Sequence, residues 1–299
     1  MRTWLVPYTR DWSYDHTARG VTPYLRGDVR VAYSEDVASG ALSRWEADVV
    51  VDLWWKGVLH WGAGRRTLRQ VSSHRWNSAI SHSLGPNVTR QQLVEGVGAI
   101  AVPSVRLVDV FSPVSPHVHL CPKGFDPTAL WSYGRRRASG ELRVCWAGDA
   151  SQRDKRVGEI ECAWPNVSLA DKCLTRGEMC DFYNGADVLA VASVAEGDPR
   201  TLIEGMACGL FPVCTDVGIV PELVTHGVNG LIVQSVKDLR DAFAWCAANR
   251  RLVRDGGEDN ARRMLDQRTW AHVAPAWQTA IDDVLRRSTC PDVGQATGF

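Results

Sequence analysis

Residues 188–215 read VLAVASVAEGDPRTLIEGMACGLFPVCT, and this stretch limits the fold most tightly. Two short apolar runs lie on either side of an amphipathic segment. Such runs, bounded by turn residues, read as buried strands, and the segment between them reads as a helix. Strands joined through a helix pair in parallel, and a parallel sheet is covered by helices on both faces. The order strand, turn, helix, strand therefore predicts an α/β fold. Pro199 suits the first helical position, because its φ is already helical and its missing N–H is not needed there. Asp198 before it is placed to cap the helix. The helix is expected to run to about Ala207, with Gly209 ending it. Its amino end then emerges at the carboxyl end of a buried strand. There α/β folds bind phosphorylated ligands, on free N–H groups and the positive end of the helix dipole. Glu196 precedes the helix and Glu204 lies over a turn down it, so the two acids flank an anion site without touching each other.

At 299 residues the chain has room for one large or two medium domains. Its apolar content and charge are ordinary for a soluble globular protein. No apolar run approaches the ~20 residues that span a bilayer. The opening MRTWLVPYTRDW lacks the apolar core of a signal peptide, so a cytoplasmic protein is expected. Nine cysteines is an odd number and no Cys-x-x-Cys occurs, which argues against a disulfide framework or a zinc finger. Cys145, Cys208 and Cys214 sit in apolar contexts and read as small core residues. Net charge is zero but unevenly spread: residues 1–143 hold 18 Lys/Arg against 12 Asp/Glu, and the remainder 16 against 22. An excess of +6 in the first half points that half toward an anionic partner.

Taken in order, TWLVPY reads as a first strand, and TRDWSYDHTARG as a polar, aromatic loop containing Tyr14, Asp15 and His16. DVRVAY and ADVVVDLWW read as buried strands. LWWKGVLHWGAGRRTLRQ is dense in aromatic and basic residues, and VSSHRW after it reads as a strand end carrying His74. Gly-Val-Gly-Ala-Ile-Ala at 96–101 fits a loose dinucleotide fingerprint, but that motif needs a strand before it and a helix after it. Here helix-like TRQQLVEG precedes and strand-like AIAVPS follows, so the dinucleotide reading is rejected. His117, His119 and Cys121 alternate in HVHLC and would share one face of a strand. A metal site there is disfavoured, because no carboxylate or second cysteine lies nearby in sequence. PTALWSYGRRRASGE is the best linker. Two domains follow, 1–126 and 141–270, joined by residues 127–140. LRVCWAG opens the second domain as a strand. SVKDLRDAFAWCAANRRLVRDGGEDNARRMLDQRTW reads as helical, and residues 271–299 as a last helix and a disordered tail from Ser288.

The run YNGADVLAVASVAEGDPRTLIEGMACGLFPVCTDVGIVPELVTHGVNGLIV resembles the donor-site signature of retaining glycosyltransferases of family 4. The Glu-x7-Glu pair, the Gly-Asp-Pro turn, EGMACG, TDVG, PELV and HGVNGLIV arrive in that family's order. The resemblance implies the GT-B fold, two Rossmann-like domains with parallel sheets facing across a cleft, with the last helix crossing back onto the first domain. It implies transfer of a sugar from a nucleotide diphosphate sugar, expected to be UDP-linked, with no cofactor and no metal. GDASQRDKR resembles the family's phosphate loop after Gly148. Lys155 matches its lysine, Asp149 stands where arginine often is, and Arg153 is a candidate for the second positive charge. By the same resemblance, Glu196, Gly197, Asp198 and Pro199 hold the donor sugar. The helix start at Pro199, Arg200, Thr201 and Leu202 takes the diphosphate, and Glu204 grips the ribose. A histidine at the end of the strand before residue 77 faces the sugar in the family, which makes His74 the candidate near the reacting carbon. Pro122-Lys123-Gly124-Phe125-Asp126 is similar to a family turn, with Lys in place of Asn.

The acceptor is read from the first domain. Basic residues interleave there with aromatics, in Trp54, Trp55, Lys56, Trp61, Arg65, Arg66, Arg69, Arg75 and Trp76, with His16 in the preceding loop. That mixture suits phosphate contacts with stacking on an exposed base. It also suits an anionic membrane surface. Small glycosyltransferases resembling this one modify hydroxymethylated pyrimidines in phage DNA, which makes duplex DNA the expected partner and a lipid-linked envelope glycan the alternative. A catalytically silent nucleotide-sugar or nucleic-acid binding module, and an isomerase or phosphorylase on the same scaffold, are the competing functions.

Overall fold

The computed structural model describes residues 1–7, 10, 13–33, 35, 47–53, 66–71, 89–132, 134, 140–172 and 174–289, apart from the side chains of Arg176 and Thr289. The first half contains β1 (Arg2–Val6), α1 (Ser13–Val21), β2 (Asp28–Val31), β3 (Val49–Asp52), β4 (Thr67–Gln70), α2 (Arg90–Val94), β5 (Ala99–Val102), α3 (Val105–Phe111) and β6 (Val118–Leu120). Its strands form one parallel sheet in the order β2-β1-β3-β4-β5-β6. The second half contains β7 (Val144–Gly148), α4 (Val157–Ala163), β8 (Ser168–Asp171), α5 (Arg176–Asn184), β9 (Val188–Val191), α6 (Arg200–Ala207), β10 (Phe211–Thr215), α7 (Val220–Leu223), β11 (Leu231–Val233), α8 (Leu239–Ala248) and α9 (Arg250–Gln267). Here a second parallel sheet runs in the order β11-β10-β9-β7-β8. The expected fold, two parallel-sheet α/β halves, is what the chain adopts.

Period-two alternation places the cores. On β7, Val144 and Trp146 join Phe211, Val213 and Phe243 on one face of the second sheet, while Cys145 and Ala147 join Leu202, Met206 and Cys214 on the other. All three cysteines expected in the core are fully buried, and burial pushes the Cys214 thiol well up. On the first sheet, α2 and α3 cover one face through Leu93, Leu107 and Phe111. The final helix, α10 (Trp270–Thr289), covers the other, where Trp277 and Ile281 pack with Leu5, Val51, Leu68 and Ala99. α10 therefore carries the end of the chain back onto the first sheet. Residues 290–299, most of the tail read as disordered, lie outside the described residues.

One local expectation is corrected. The segment read as a loop after β1 is helical from Ser13, so Tyr14, Asp15 and His16 lie on α1. Asp15 faces inward there, accepting from the Tyr33 hydroxyl at 2.7 Å and from Arg19 Nε at 3.0 Å, while Ala18 and Val21 complete the buried face. The fourth strand is TLRQ, at the end of the aromatic and basic tract, and residues 72–76 of VSSHRW lie outside the described residues. Arg69 is fully buried within β4, with Nη1 donating to the Leu93 carbonyl at 2.9 Å and Nε 3.4 Å from Asp52. The stretch after β11 is helical as expected, in two helices that meet at Asn249, α8 and α9, and α10 begins at Trp270. The 96–101 segment follows α2 and runs into β5, helix before strand, in keeping with the rejected dinucleotide reading. Among the described residues no helix is long and apolar enough to cross a membrane.

Candidate active site

The chain leaves β7 toward β8 on one side of the second sheet and returns to lay β9 on the other. Loops after β7 and β9 therefore diverge, and the crevice between their carboxyl ends is where such sheets bind ligands. Both loops carry predicted site residues. Beyond Gly148 a short 3-10 turn, Arg153–Lys155, brings Lys155 over the crevice. Beyond β9 lie Ser193 and Glu196. Lys155 Nζ donates to Glu196 Oε1, and Ser193 Oγ donates to the same oxygen at 3.0 Å. Glu196 is 8% exposed, so this acid is fixed at the crevice rather than left in solvent.

The other predicted residues are distributed unevenly. Arg153 is exposed on the 3-10 turn. Asp149 adds no positive charge but organises the loop, bonding Ser151, Gln152 and Lys172. Burial opposes its ionisation, yet the hydrogen bonds from Lys172, Ser151 and Gln152 outweigh it and bring its pKa down to about 2. Gly148 lies against Trp146, where a Cβ would come 2.8 Å from the indole. The Gly197 carbonyl accepts from the Ile219 N–H at 2.9 Å, tying the Glu196 loop to the loop after β10.

Pro199 is the N-cap of α6, one position ahead of expectation, and no side chain caps the helix. Asp198 is committed elsewhere: its Oδ2 accepts from the Lys123 N–H at 2.9 Å and lies 3.4 Å from Arg268 Nη2. As the first helical residues, Arg200 and Thr201 have no preceding turn to take their N–H groups. Leu202 is buried and its N–H turns back to the Pro199 carbonyl at 3.0 Å. Glu204, 9% exposed, is bound on both oxygens: Arg200 Nε donates to Oε1 at 3.1 Å and the Tyr183 hydroxyl to Oε2 at 3.1 Å. Tyr183, Ser193, Lys123 and Arg268 are the residues that sequence reasoning did not single out as site residues. Tyr183 carried a signal in its place beside the Asn-Gly that precedes β9.

Of the acceptor-side candidates, His16 is partly buried on α1. Arg66 precedes β4 and its carbonyl accepts from the Val50 N–H. In a parallel sheet that is the amino edge, opposite the end that faces the cleft, and Arg69 is interior. Neither arginine belongs on the acceptor side. His74, Trp54, Trp55, Lys56, Trp61, Arg65, Arg75 and Trp76 lie outside the described residues. His119 spends Nε2 on Asp283 at 2.9 Å, holding β6 to α10. Among the described residues no three His, Cys, Asp or Glu side chains are grouped to hold a metal ion.

The two halves meet around this crevice. Arg106 on α3 pairs with Asp216 at 2.9 Å, and the Val105 N–H donates to Glu222 Oε1 at 2.8 Å. A cleft of about 180 Å³, lined by Arg106, Ala195, Glu196, Asp216 and Gly218 among others, opens between them. A larger groove beside Gly158, Cys162 and Arg240 contains none of the converging residues.

Residues 129–249 match the family model for glycosyl transferases group 1. The matched stretch contains Lys155, Glu196 and Glu204. Over 122 residues, 39% of its length, the chain is 33% identical to the D-inositol 3-phosphate glycosyltransferase of Xylanimonas cellulosilytica, and the alignment spans 28% of that protein's length. Among solved structures, HepE of Anabaena in complex with UDP-glucose superposes with a TM-score of 0.69 at 14% identity, covering 96% of this chain and all of that one (100%). Sucrose-phosphate synthase from Thermosynechococcus elongatus gives 0.67 at 15% identity, covering 84% of this chain and 76% of that one. At such identities the likeness is one of fold, and the fold is GT-B.

Proposed function

We propose that this chain is a glycosyltransferase that moves a sugar from a nucleotide diphosphate, UDP in the simplest case, to an acceptor hydroxyl with retention of anomeric configuration. The observation that carries this reading is the meeting of Lys155, Glu196 and the amino end of α6 at the switch point, with Glu204 one turn further on. Breaking the bond between the sugar carbon and the diphosphate oxygen puts negative charge on the leaving group. Lys155 and the N–H groups of Arg200 and Thr201 are placed to stabilise it without a metal. Glu196 and the 197–199 loop hold the sugar hydroxyls. Glu204 accepts from the ribose hydroxyls. The acceptor attacks on the face the diphosphate leaves, and a departing phosphate oxygen takes its proton. The UDP-glucose complex of HepE supports the choice of donor class. Incubation with a panel of nucleotide sugars, following release of nucleoside diphosphate and retention at the new linkage, tests the reading. Tight nucleoside diphosphate binding with no turnover on any acceptor would make the chain a binding module instead. Release of free sugar phosphate would make it a phosphorylase or isomerase.

For the acceptor, the reading is a 5-hydroxymethylpyrimidine in duplex DNA. It is supported by the +6 balance of residues 1–143 and by the Trp54, Trp55, Arg75 and Trp76 tract in sequence, less the contribution of Arg66 and Arg69. A flipped base would present the hydroxymethyl oxygen to the donor. The test is duplex DNA containing 5-hydroxymethylcytosine, incubated with the enzyme and donor and digested to nucleosides. A mass increase of one sugar supports the reading. No increase, with transfer to a lipid or glycan acceptor, overturns it.

A further inference from the structure

Lys123 is a buried lysine to which the reaction above gives no role. It follows β6 in the first half and is 5% exposed. Its main-chain N–H donates to Asp198 Oδ2 at 2.9 Å. Its ammonium donates to the Asp198 carbonyl at 3.2 Å and to Ser13 Oγ, on the first turn of α1, at 3.3 Å. Arg268 closes the ring, with Nε donating to the Lys123 carbonyl at 3.0 Å and Nη2 lying near Asp198 Oδ2. The donor loop is thus gripped from the first half by a side chain and a backbone at once. Enclosing an ammonium is costly, and an apolar side chain would fill the same space without that cost. What the lysine provides is a charged, directional hold on one carbonyl, that of the residue two before the first turn of α6.

We propose that Lys123 is a positioning residue for sugar transfer. Reaching from the first half, it fixes the 197–200 loop so that closure of the cleft and presentation of that loop to the donor are a single event. The proposal rests on the sugar-transfer reading above. The charged groups facing the ammonium are Asp198 and Glu196 from the loop, Arg200 from α6, Lys155 from the 3-10 turn and Arg268 from the end of α9. Burial pulls its pKa below that of an ordinary lysine, Asp198 and Glu196 oppose this, and Arg200 and Lys155 add to it. The charged hold is present below the folded pKa and lost as pH rises through it. That loss therefore begins at a lower pH than a solvated lysine would give.

The experiment compares wild type with Lys123→Gln and Lys123→Met by three measurements. Hydrogen exchange of the peptide covering 194–203 is followed without donor, nucleoside diphosphate affinity is measured by calorimetry, and turnover is measured against pH. The expected result is loop exchange faster by about tenfold with the rest of the second half unchanged. Nucleoside diphosphate affinity should stay within about threefold, since Glu204 is untouched, while kcat falls at least about tenfold and the alkaline limb of the pH profile disappears. Unchanged loop exchange in either folded variant overturns the proposal. So does loss of protection throughout the second half in both, which would make the lysine merely structural. A wild-type protein that binds no nucleoside diphosphate overturns the sugar-transfer reading, and the catalytic role of Lys123 with it. The exchange result judges its hold on the loop separately.

Discussion

Tyr183 and Glu204 form a buried hydrogen bond, hydroxyl to carboxylate, at 3.1 Å. Burial first, and then the charge of Glu204, push the Tyr183 pKa well above its ordinary value, so the phenol stays a donor across the working pH range. With Arg200 on the other oxygen, the Glu204 carboxylate is held from both sides, and on the proposed reading it is aimed before any ribose reaches it. Tyr183→Phe keeps the ring and removes one hydrogen bond to a charged group, an interaction of roughly 1.5–3 kcal/mol. Nucleoside diphosphate affinity should fall by about tenfold, with the melting temperature changed little. Calorimetry checks this, and unchanged affinity would mean that Glu204 is aimed by Arg200 alone.

Lys155 donates to Glu196 at the crevice, and an ammonium with three N–H groups can serve a phosphate oxygen while keeping its bond to Glu196. In the proposed reaction charge on the leaving diphosphate grows toward the transition state, so Lys155→Ala should cost turnover more than affinity. A fall in kcat of about 10²–10³-fold is expected, the scale set by removing one donor from an oxyanion site. EDTA should leave the wild-type rate intact. Steady-state kinetics with calorimetric Kd values separate the two effects. An equal loss in kcat and Kd, or abolition by EDTA, would remove Lys155 from the role of leaving-group stabiliser.

Gly218 has a φ of +48°, and a Cβ there would overlap the Gly197 carbonyl and come 2.7 Å from that of Glu196. The loop after β10 can therefore press against the donor loop only through a glycine. Gly218→Ala should destabilise by roughly 1–3 kcal/mol through backbone strain alone, and should weaken nucleotide-sugar binding by shifting Glu196. Gly227→Ala is the comparison. Gly227 also has positive φ, at +79°, but open space around it. It should lose stability and keep donor affinity. Similar donor affinities in the two variants would argue that the approach of the two loops is irrelevant to binding.

The second sheet and its switch point were legible because their signals are local. Apolar runs, the Gly-Asp-Pro turn and the spacing of Glu196 and Glu204 all sit within one βαβ unit, where hydrophobic period decides the structure. Asp198 was misread as a helix cap because capping is a local rule. Its partners Lys123 and Arg268 lie 75 and 70 residues away and outcompete the helix for its carboxylate. β4 was missed because Arg69 and Gln70 break the apolar pattern of a buried strand, and the compensating Asp52 belongs to another strand. α1 was read as a loop for the same reason: Asp15 looks solvent-facing until Tyr33 and Arg19 are brought to it.

Asp187 precedes β9 and fastens the amino edge of the second sheet to α9. Its Oδ1 accepts from Arg143 Nη2 at 2.7 Å, and its Oδ2 from the Arg143 N–H at 3.0 Å and from Arg250 Nη2 at 2.9 Å. The carboxylate is 3% exposed and Arg250 9%. Burial alone would raise the Asp187 pKa, but the hydrogen bonds from Arg143 and the charges of Arg143 and Arg250 outweigh it and the net shift is downward. The sign follows: a carboxylate whose folded pKa lies below its unfolded value of about 3.9 contributes stability that is fully present above that value. The contribution is lost as pH falls through the folded pKa. Asp187→Ala leaves the Arg250 guanidinium enclosed without its carboxylate, which should cost about 3–5 kcal/mol near neutral pH. Urea titrations of wild type and Asp187→Ala at pH 7 and at stepwise lower pH give the measurement. Wild-type stability should drop as the medium turns acid, and the difference between the two proteins should narrow over the same range. A gap that stays constant down to the acid limit would assign the acid sensitivity to other carboxylates, and would leave Asp187 only a packing role at the base of β9.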